Sequence, residues 1–147
     1  MSTTKTRTLQ PIPYLAFDGT CADAMRYYEK VLGGTIKVMM SGKDSPYKDP
    51  MIESFGDRIL NAQLELPGGV FLFGGDAPPT MEYQGMHGFS ITLNLDTVEE
   101  GEEIFNKFAD GGHVTMPYSP TFWAEKFGMV SDKFGVNWII NGNLQSM

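Results

Sequence analysis

Helical and alternating hydrophobic patterns follow one another in the same order twice along this chain. Pro13-Tyr-Leu-Ala-Phe17 has the short apolar run of a strand, and Cys21 to Leu32 places Cys21, Met25, Tyr28 and Leu32 on one helical stripe. Gly33-Gly34 ends that helix, and Thr35 to Met40 reads as a second strand. Further on, Phe89 to Leu95 reads as a strand and Val98 to Ala109 as a helix with Val98, Gly101, Ile104, Phe105 and Phe108 on its stripe. Gly111-Gly112 stops it, and Val114-Thr-Met116 follows. Each series closes on a hairpin: Leu60 to Leu66 turns at Pro67-Gly-Gly69 into Val70 to Phe73, and Met129 to Lys133 turns at Phe134-Gly135 into Val136 to Asn141. The order strand, helix, three strands, given twice, predicts an α+β chain of two βαβββ modules. They span about 11–75 and 87–143, with a linker over 76–86, in one domain over 11–143. A repeated module of this kind builds a cleft between its copies, and clefts bind small molecules.

Leu60, Ala62, Leu64 and Leu66 share one strand face while Asn61, Gln63 and Glu65 share the other. Phe89, Ile91, Leu93 and Leu95 oppose Ser90, Thr92 and Asn94 in the same way. The polar faces are almost uncharged, which suits a hydrated cleft. Thr20 with Asp23, and Thr97 with Glu100, have the spacing of capping boxes. Gly101 in mid-helix costs roughly 1 kcal/mol against alanine and makes sense if that helix packs closely onto a sheet. The first module is the longer one, and its surplus fits Ser41 to Asp57, a Gly/Pro/Asp/Lys-rich stretch without sustained periodicity. That loop is read as a lid, a partner contact or a solvated surface segment. Residues 1–10 read as a disordered tail.

Composition narrows the function. With 147 residues the chain can bury a real core, and its 41% hydrophobic and 20% charged residues are ordinary for a globular protein. A net charge of -7 disfavours nucleic acid and anionic membrane surfaces. No apolar run approaches the ~20 residues of a membrane span, and the polar N-terminus does not read as a signal peptide. The expected setting is cytoplasmic. Cys21 is the only cysteine, so there is no intramolecular disulfide. It sits at a helix start, which can activate a thiol, but also on the apolar stripe, which predicts a buried, inert one. His87 and His113 lack the spacing of a paired ligand motif. Asp18-Gly19 and Asp132-Lys-Phe-Gly135 read as turns, Asp132 capping its own backbone. The sequence shows no nucleophilic triad, phosphate loop or dinucleotide fingerprint.

The stretch Tyr14-Leu-Ala-Phe-Asp-Gly-Thr-Cys-Ala-Asp-Ala-Met-Arg-Tyr-Tyr-Glu-Lys-Val-Leu-Gly-Gly34 resembles the opening of a vicinal oxygen chelate (glyoxalase/bleomycin-resistance/dioxygenase) domain. Thr121-Phe-Trp-Ala-Glu-Lys-Phe-Gly-Met-Val-Ser-Asp-Lys-Phe-Gly-Val-Asn-Trp-Ile-Ile-Asn141 is similar to the PhnB-like subgroup. The likeness runs from about Ile12 to Asn141. It implies paired βαβββ modules whose sheets curl into a half-open barrel, commonly as a homodimer. In metal-dependent members four strand positions carry His and Glu ligands to a divalent ion. On this chain those positions fall near Ile12, Phe73, Ser90 and Ile139, none of them a ligand residue. The resemblance therefore implies no metal and no cofactor here. Some PhnB-like proteins carry a label relating them to demethylubiquinone methyltransferases, but this chain has no glycine-rich strand-to-helix turn for a nucleotide-like methyl donor.

Projected onto the cleft, the strands offer Tyr14, Phe71, Phe73, Thr92, Asn137, Ile139 and Asn141, with Phe122, Trp123 and Glu125 closing one end. This surface is aromatic and amide-rich, suited to a small, partly apolar ligand. Trp138 and several phenylalanines also fit a core. The reading is a metal-free small-molecule-binding protein of the bleomycin-resistance type. Its alternative is a lyase or isomerase that uses Glu125, taken as a loop carboxylate, or a metal from an unexpected ligand set, since this fold hosts both. A structural dimer without a ligand is the third possibility.

Overall fold

The computed structural model describes residues 7–146, so most of the tail expected over residues 1–10 lies outside the described residues. The first module is built from β1 (Tyr14–Phe17), α1 (Cys21–Leu32), β2 (Thr35–Ser41), α2 (Pro50–Phe55), β3 (Ile59–Glu65) and β4 (Phe71–Asp76). The second follows as β5 (Ile91–Leu95), α3 (Val98–Ala109), β6 (His113–Ser119), β7 (Ala124–Ser131) and β8 (Asn137–Leu144). Each module forms a 4-stranded sheet, ordered β1-β4-β3-β2 and β5-β8-β7-β6. The first strand of each module runs parallel to the last, with Tyr14 opposite Phe73 in one and Thr92 opposite Ile139 in the other. The remaining neighbours are antiparallel.

Helix boundaries follow their local signals, with one exception. Gly33 takes a left-handed conformation (φ 77°) and its N–H bonds Glu29 O, which ends α1. Thr97 Oγ1 accepts from Glu100 N at 3.1 Å and caps α3. Thr20 makes no such bond. The carboxylate of Asp76, at the end of β4, takes its place and accepts from Gly19 N at 2.9 Å and Cys21 N at 3.0 Å. A side chain distant in sequence thus satisfies the helix start that a local box was expected to satisfy.

Three further expectations are corrected. The segment read as an unstructured loop contains α2, which Asp49 caps through its bond from Ile52 N at 2.8 Å, with Pro50 as the first helical residue. Its six residues are too short to show a helical period. The strand expected at Val114–Met116 runs on to Ser119 and takes in Pro117, a position tolerated because β6 is an edge strand. Leu60 is only half-buried while Ile59 is buried, because the register between β2 and β3 shifts where Ser41 meets Ile59.

One hydrophobic core joins the modules. Leu15, Phe17, Met25, Tyr28 and Leu64 from the first meet Phe105, Phe108, Trp138 and Ile140 from the second. Phe108 stacks on Trp138 with centroids 4.5 Å apart, and Tyr28 meets the edge of Trp138 at 5.4 Å. Asp132 caps its own turn, Oδ1 accepting from Phe134 N at 2.8 Å and Val136 N at 3.1 Å. Its Oδ2 also accepts from Tyr28 Oη at 2.6 Å and Trp138 Nε1 at 2.8 Å, so one buried carboxylate ties α1 to the second sheet. Close packing also explains Gly101. The hydroxyl of Tyr118 reaches into the gap between Gly101 on α3 and Gly142 on β8, and bonds Val98 O at 2.8 Å.

Candidate functional site

Strand alternation decides which side chains leave the core. On β8, Trp138 and Ile140 turn inward, so Asn137, Ile139, Asn141 and Asn143 occupy the opposite face. The register places Thr92 beside Ile139, Asn94 and Phe127 beside Asn141, and Met129 beside Ile139. On β1 and β4, Leu15, Phe17 and Leu72 are buried, which leaves Tyr14, Phe71 and Phe73 on the other side.

The second sheet carries a connected group. Asn141, only 7% exposed, donates from Nδ2 to Asn94 Oδ1 at 2.9 Å and accepts at Oδ1 from Trp123 Nε1 at 3.1 Å. The half-buried Trp123 indole lies between Phe122 and Phe127, each with centroids 4.9 Å away and steeply inclined to it. Gln145 N donates to Trp123 O at 2.7 Å and pins the loop to the end of β8. Phe122 is 77% exposed. The result is a fixed, uncharged strip of amide and aromatic edges. Toward the start of β5, Asn137 and Ile139 line an open hollow of about 520 Å³ with Ser90 and Met129.

The other candidates are distributed differently. Phe71 and Thr92 share a hollow of about 330 Å³ between the modules, walled by Ile12, Leu66 and Ile91. Phe73 packs edge-on to Phe71 at 5.9 Å. Tyr14 is 56% exposed and lines a separate hollow of about 420 Å³. Its hydroxyl lies against Gly75, where any side chain would collide with it. Burial, then Cys21 and Asp76, pushes the Tyr14 pKa up. The nine candidate binding residues are thus spread over three hollows and the strip, with Phe73 lining none of the three.

Glu125 is the second residue of β7, not a loop residue as its sequence context suggested. It is exposed and accepts from Asn143 Nδ2 at 2.9 Å. Cys21 is fully buried, and burial followed by the charge of Asp76 pushes its thiol up to about 12, so it is no nucleophile. Sequence reading passed over Asn94, Phe127 and Tyr83. Asn94 was legible on the polar face of its strand. Phe127 needed β7 to begin at Ala124, before the Gly128 that obscures its alternation.

The metal positions implied by the fold do not fit an ion. Ile12, Phe73 and Ile139 have no donor atom in their side chains, and Ser90 offers one neutral hydroxyl. Among the described residues no group of three or more His, Cys, Asp or Glu is placed to hold a metal. At the start of α1 the Asp76 carboxylate already takes the Cys21 N–H, which sets a negative charge where an anion would approach.

Comparison with known proteins agrees with this architecture. The family model described as 3-demethylubiquinone-9 3-methyltransferase matches residues 10–141. Protein YjdN of Escherichia coli (strain K12) is 36% identical, the match covering 88% of this chain and 92% of YjdN. The crystal structure of protein PA1353 from Pseudomonas aeruginosa is 43% identical, with TM-score 0.82 over 91% of this chain and 97% of that one. A Bacillus cereus structure described as a putative 3-demethylubiquinone-9 3-methyltransferase, PhnB protein, shares the fold at 23% identity, with TM-score 0.72 over 90% of this chain and 98% of the other. The fosfomycin resistance protein FosX from Listeria monocytogenes and a glyoxylase/bleomycin resistance protein/dioxygenase domain from Frankia sp. EAN1pec share it at TM-score 0.64 with 10% and 13% identity, a likeness of fold alone. The chain belongs to the family described as 3-demethylubiquinone-9 3-methyltransferase, and it has the fold seen in PhnB and in glyoxalase/bleomycin-resistance proteins.

Proposed function

We propose that this chain is a small-molecule-binding protein of the bleomycin-resistance type, working without a metal, with its ligand seated on the exposed face of the second sheet. The bonded series Trp123–Asn141–Asn94, flanked by Phe122 and Phe127, is the observation that carries the reading. It offers stacking surface and fixed amide polarity without charge, the combination a small, partly apolar ligand requires. Thr92, Asn137 and Ile139 extend the surface along the strands. Tyr14, Phe71 and Phe73 supply the corresponding face of the first module. Methyl transfer, named in the family's description, gains no support from a sequence that lacks a glycine-rich strand-to-helix turn for a nucleotide-like methyl donor.

The protein acts as one domain of two modules, in a homodimer, in the cytoplasm. Open edges at β2 and β6, with exposed Val114 and Met116 on β6, support the dimer. No described helix is long and apolar enough to cross a membrane. The test is a thermal-shift screen of aromatic and amphipathic compounds, repeated on Trp123→Ala and Asn141→Ala. Ligand-induced shifts should fall in both variants, and light scattering should give about twice 16.3 kDa. Unaltered ligand shifts in both variants would place the ligand elsewhere, and a monomer would remove the dimer.

A further inference from the structure

The hollow beside Tyr14 has a chemistry unlike that of the second sheet and shares no residue with the Trp123–Asn141 strip. It lies over the exposed side of β1, between α2, which contributes Phe55, and the segment between β4 and β5, which contributes Met81, Glu82 and Tyr83. That segment is fastened down, because Tyr83 Oη donates to Ala16 O at 2.6 Å. Its volume of about 420 Å³ is in the range of small-ligand sites.

Three features define what fits. The walls bring aromatic rings from three separate elements, Tyr14 of β1, Phe55 of α2 and Tyr83 of the connecting segment. The charge that opens onto the hollow is acidic, Glu82 at its rim; Asp76 also borders it, but the Asp76 carboxylate lies on the helix-facing side of β4, where it accepts backbone N–H bonds from Gly19, Cys21 and Ile59. No Lys, Arg or His is among the lining residues, and among the described residues no ion pair involves Asp76 or Glu82. The neighbouring cation, Arg58, is engaged by Asp18 Oδ1 and Ala77 O, each at 3.0 Å. Aromatic walls with an unpaired carboxylate at the rim disfavour an anion and attract a weakly hydrated cation, which gains from ring quadrupoles as well as from that carboxylate.

We propose that this hollow binds a small organic cation of the quaternary or methylated ammonium class, held against the rings of Tyr14, Phe55 and Tyr83 beside Glu82. The site shares only Tyr14 with the surface argued above, and its test uses Tyr83 and Glu82, which that surface lacks. The test is calorimetric titration of the full-length chain with choline, and with its neutral isostere in which carbon replaces the ammonium nitrogen. Choline should bind saturably and about tenfold more tightly than the isostere. Tyr83→Ala should weaken choline about fivefold, whereas Tyr83→Phe, which keeps the ring and loses the bond to Ala16, should retain it. Glu82→Gln, at an exposed residue, should weaken it about threefold and carries the test if Tyr83→Ala fails to fold. Absence of saturable binding, equal affinity for the isostere, or unchanged affinity in Glu82→Gln would overturn the proposal, as would equal losses in Tyr83→Phe and Tyr83→Ala.

Discussion

Replacing Tyr28 by phenylalanine isolates the contact that joins the two modules. The ring is fully buried and meets Trp138, Phe108 and Phe134 edge-on, so the variant keeps the packing and removes a single oxygen. That oxygen donates at 2.6 Å to Asp132 Oδ2, which retains only its bond from Trp138 Nε1 on that side. A hydrogen bond to a charged acceptor contributes about 1.5–3 kcal/mol, and loss of the partner leaves a buried carboxylate oxygen less satisfied. The expected cost is about 2 kcal/mol, or roughly 5–8 °C in Tm for a chain of this length. Urea denaturation followed by tryptophan fluorescence and by far-UV circular dichroism would measure it.

The same contact carries a pH signature. Burial, the charge of Asp132 and the hydrogen bond to it hold the Tyr28 pKa well above the ordinary tyrosine value. A raised folded pKa means that the stabilisation is complete below the unfolded pKa of about 10 and is lost as pH climbs above it, when the unfolded chain releases the proton and the folded one keeps it. The phenylalanine variant has no proton to release at this position, so its stability lacks that dependence. The stability gap between wild type and Tyr28→Phe should therefore be constant from pH 7 to 9 and narrow by about 1.4 kcal/mol by pH 11. A gap below about 0.5 kcal/mol at pH 7, or one that stays constant through pH 11, would refute the assigned role of the hydroxyl.

Two other outcomes follow from packing and donor chemistry. Gly101→Ala should destabilise by about 1–3 kcal/mol despite the better helix propensity of alanine, because the new methyl would meet the Tyr118 hydroxyl; the cost should shrink in a Tyr118→Phe background, measured by the same denaturation. Incubation with EDTA should leave Tm unchanged in differential scanning fluorimetry, because the residues at the four inherited ligand positions are not metal ligands; a fall of several degrees would reveal a bound ion.

The modules were legible because their signals are local. Stripes such as Cys21–Met25–Tyr28 and Ile104–Phe105–Phe108, glycine stops and hairpin turns each act within a few residues, and the structure places helices and turns where they fall. What escaped the sequence depends on distance along the chain. Asp76 caps α1 across 55 residues and makes the Thr20–Asp23 spacing irrelevant. Asp132 was correctly read as capping its own turn, yet its other oxygen receives Tyr28 across 104 residues, which no local pattern encodes. The alternation of β7 was obscured because Gly128 holds an inward position, left empty for Phe105 and the backbone of Tyr118. A face read without that glycine starts the strand too late and leaves Glu125 in a loop.

Duplication also explains why equivalent faces of the two modules differ in chemistry. The parallel pairs Tyr14–Phe73 and Thr92–Ile139 are equivalent in the two sheets, so Gly75 and Asn141, two residues further on, are equivalent as well. In the first module that position has no side chain, and the space goes to the hydroxyl of Tyr14. In the second it carries an amide that fills the space and fixes Asn94 and Trp123. A glycine at this position leaves an open hollow, whereas an asparagine builds a neutral polar strip. Thr92 in place of Tyr14 completes the difference, since a short hydroxyl leaves the strip accessible from above. Equivalent backbones thus carry opposite side-chain solutions at one register position, so ligand chemistry in this fold is settled strand pair by strand pair.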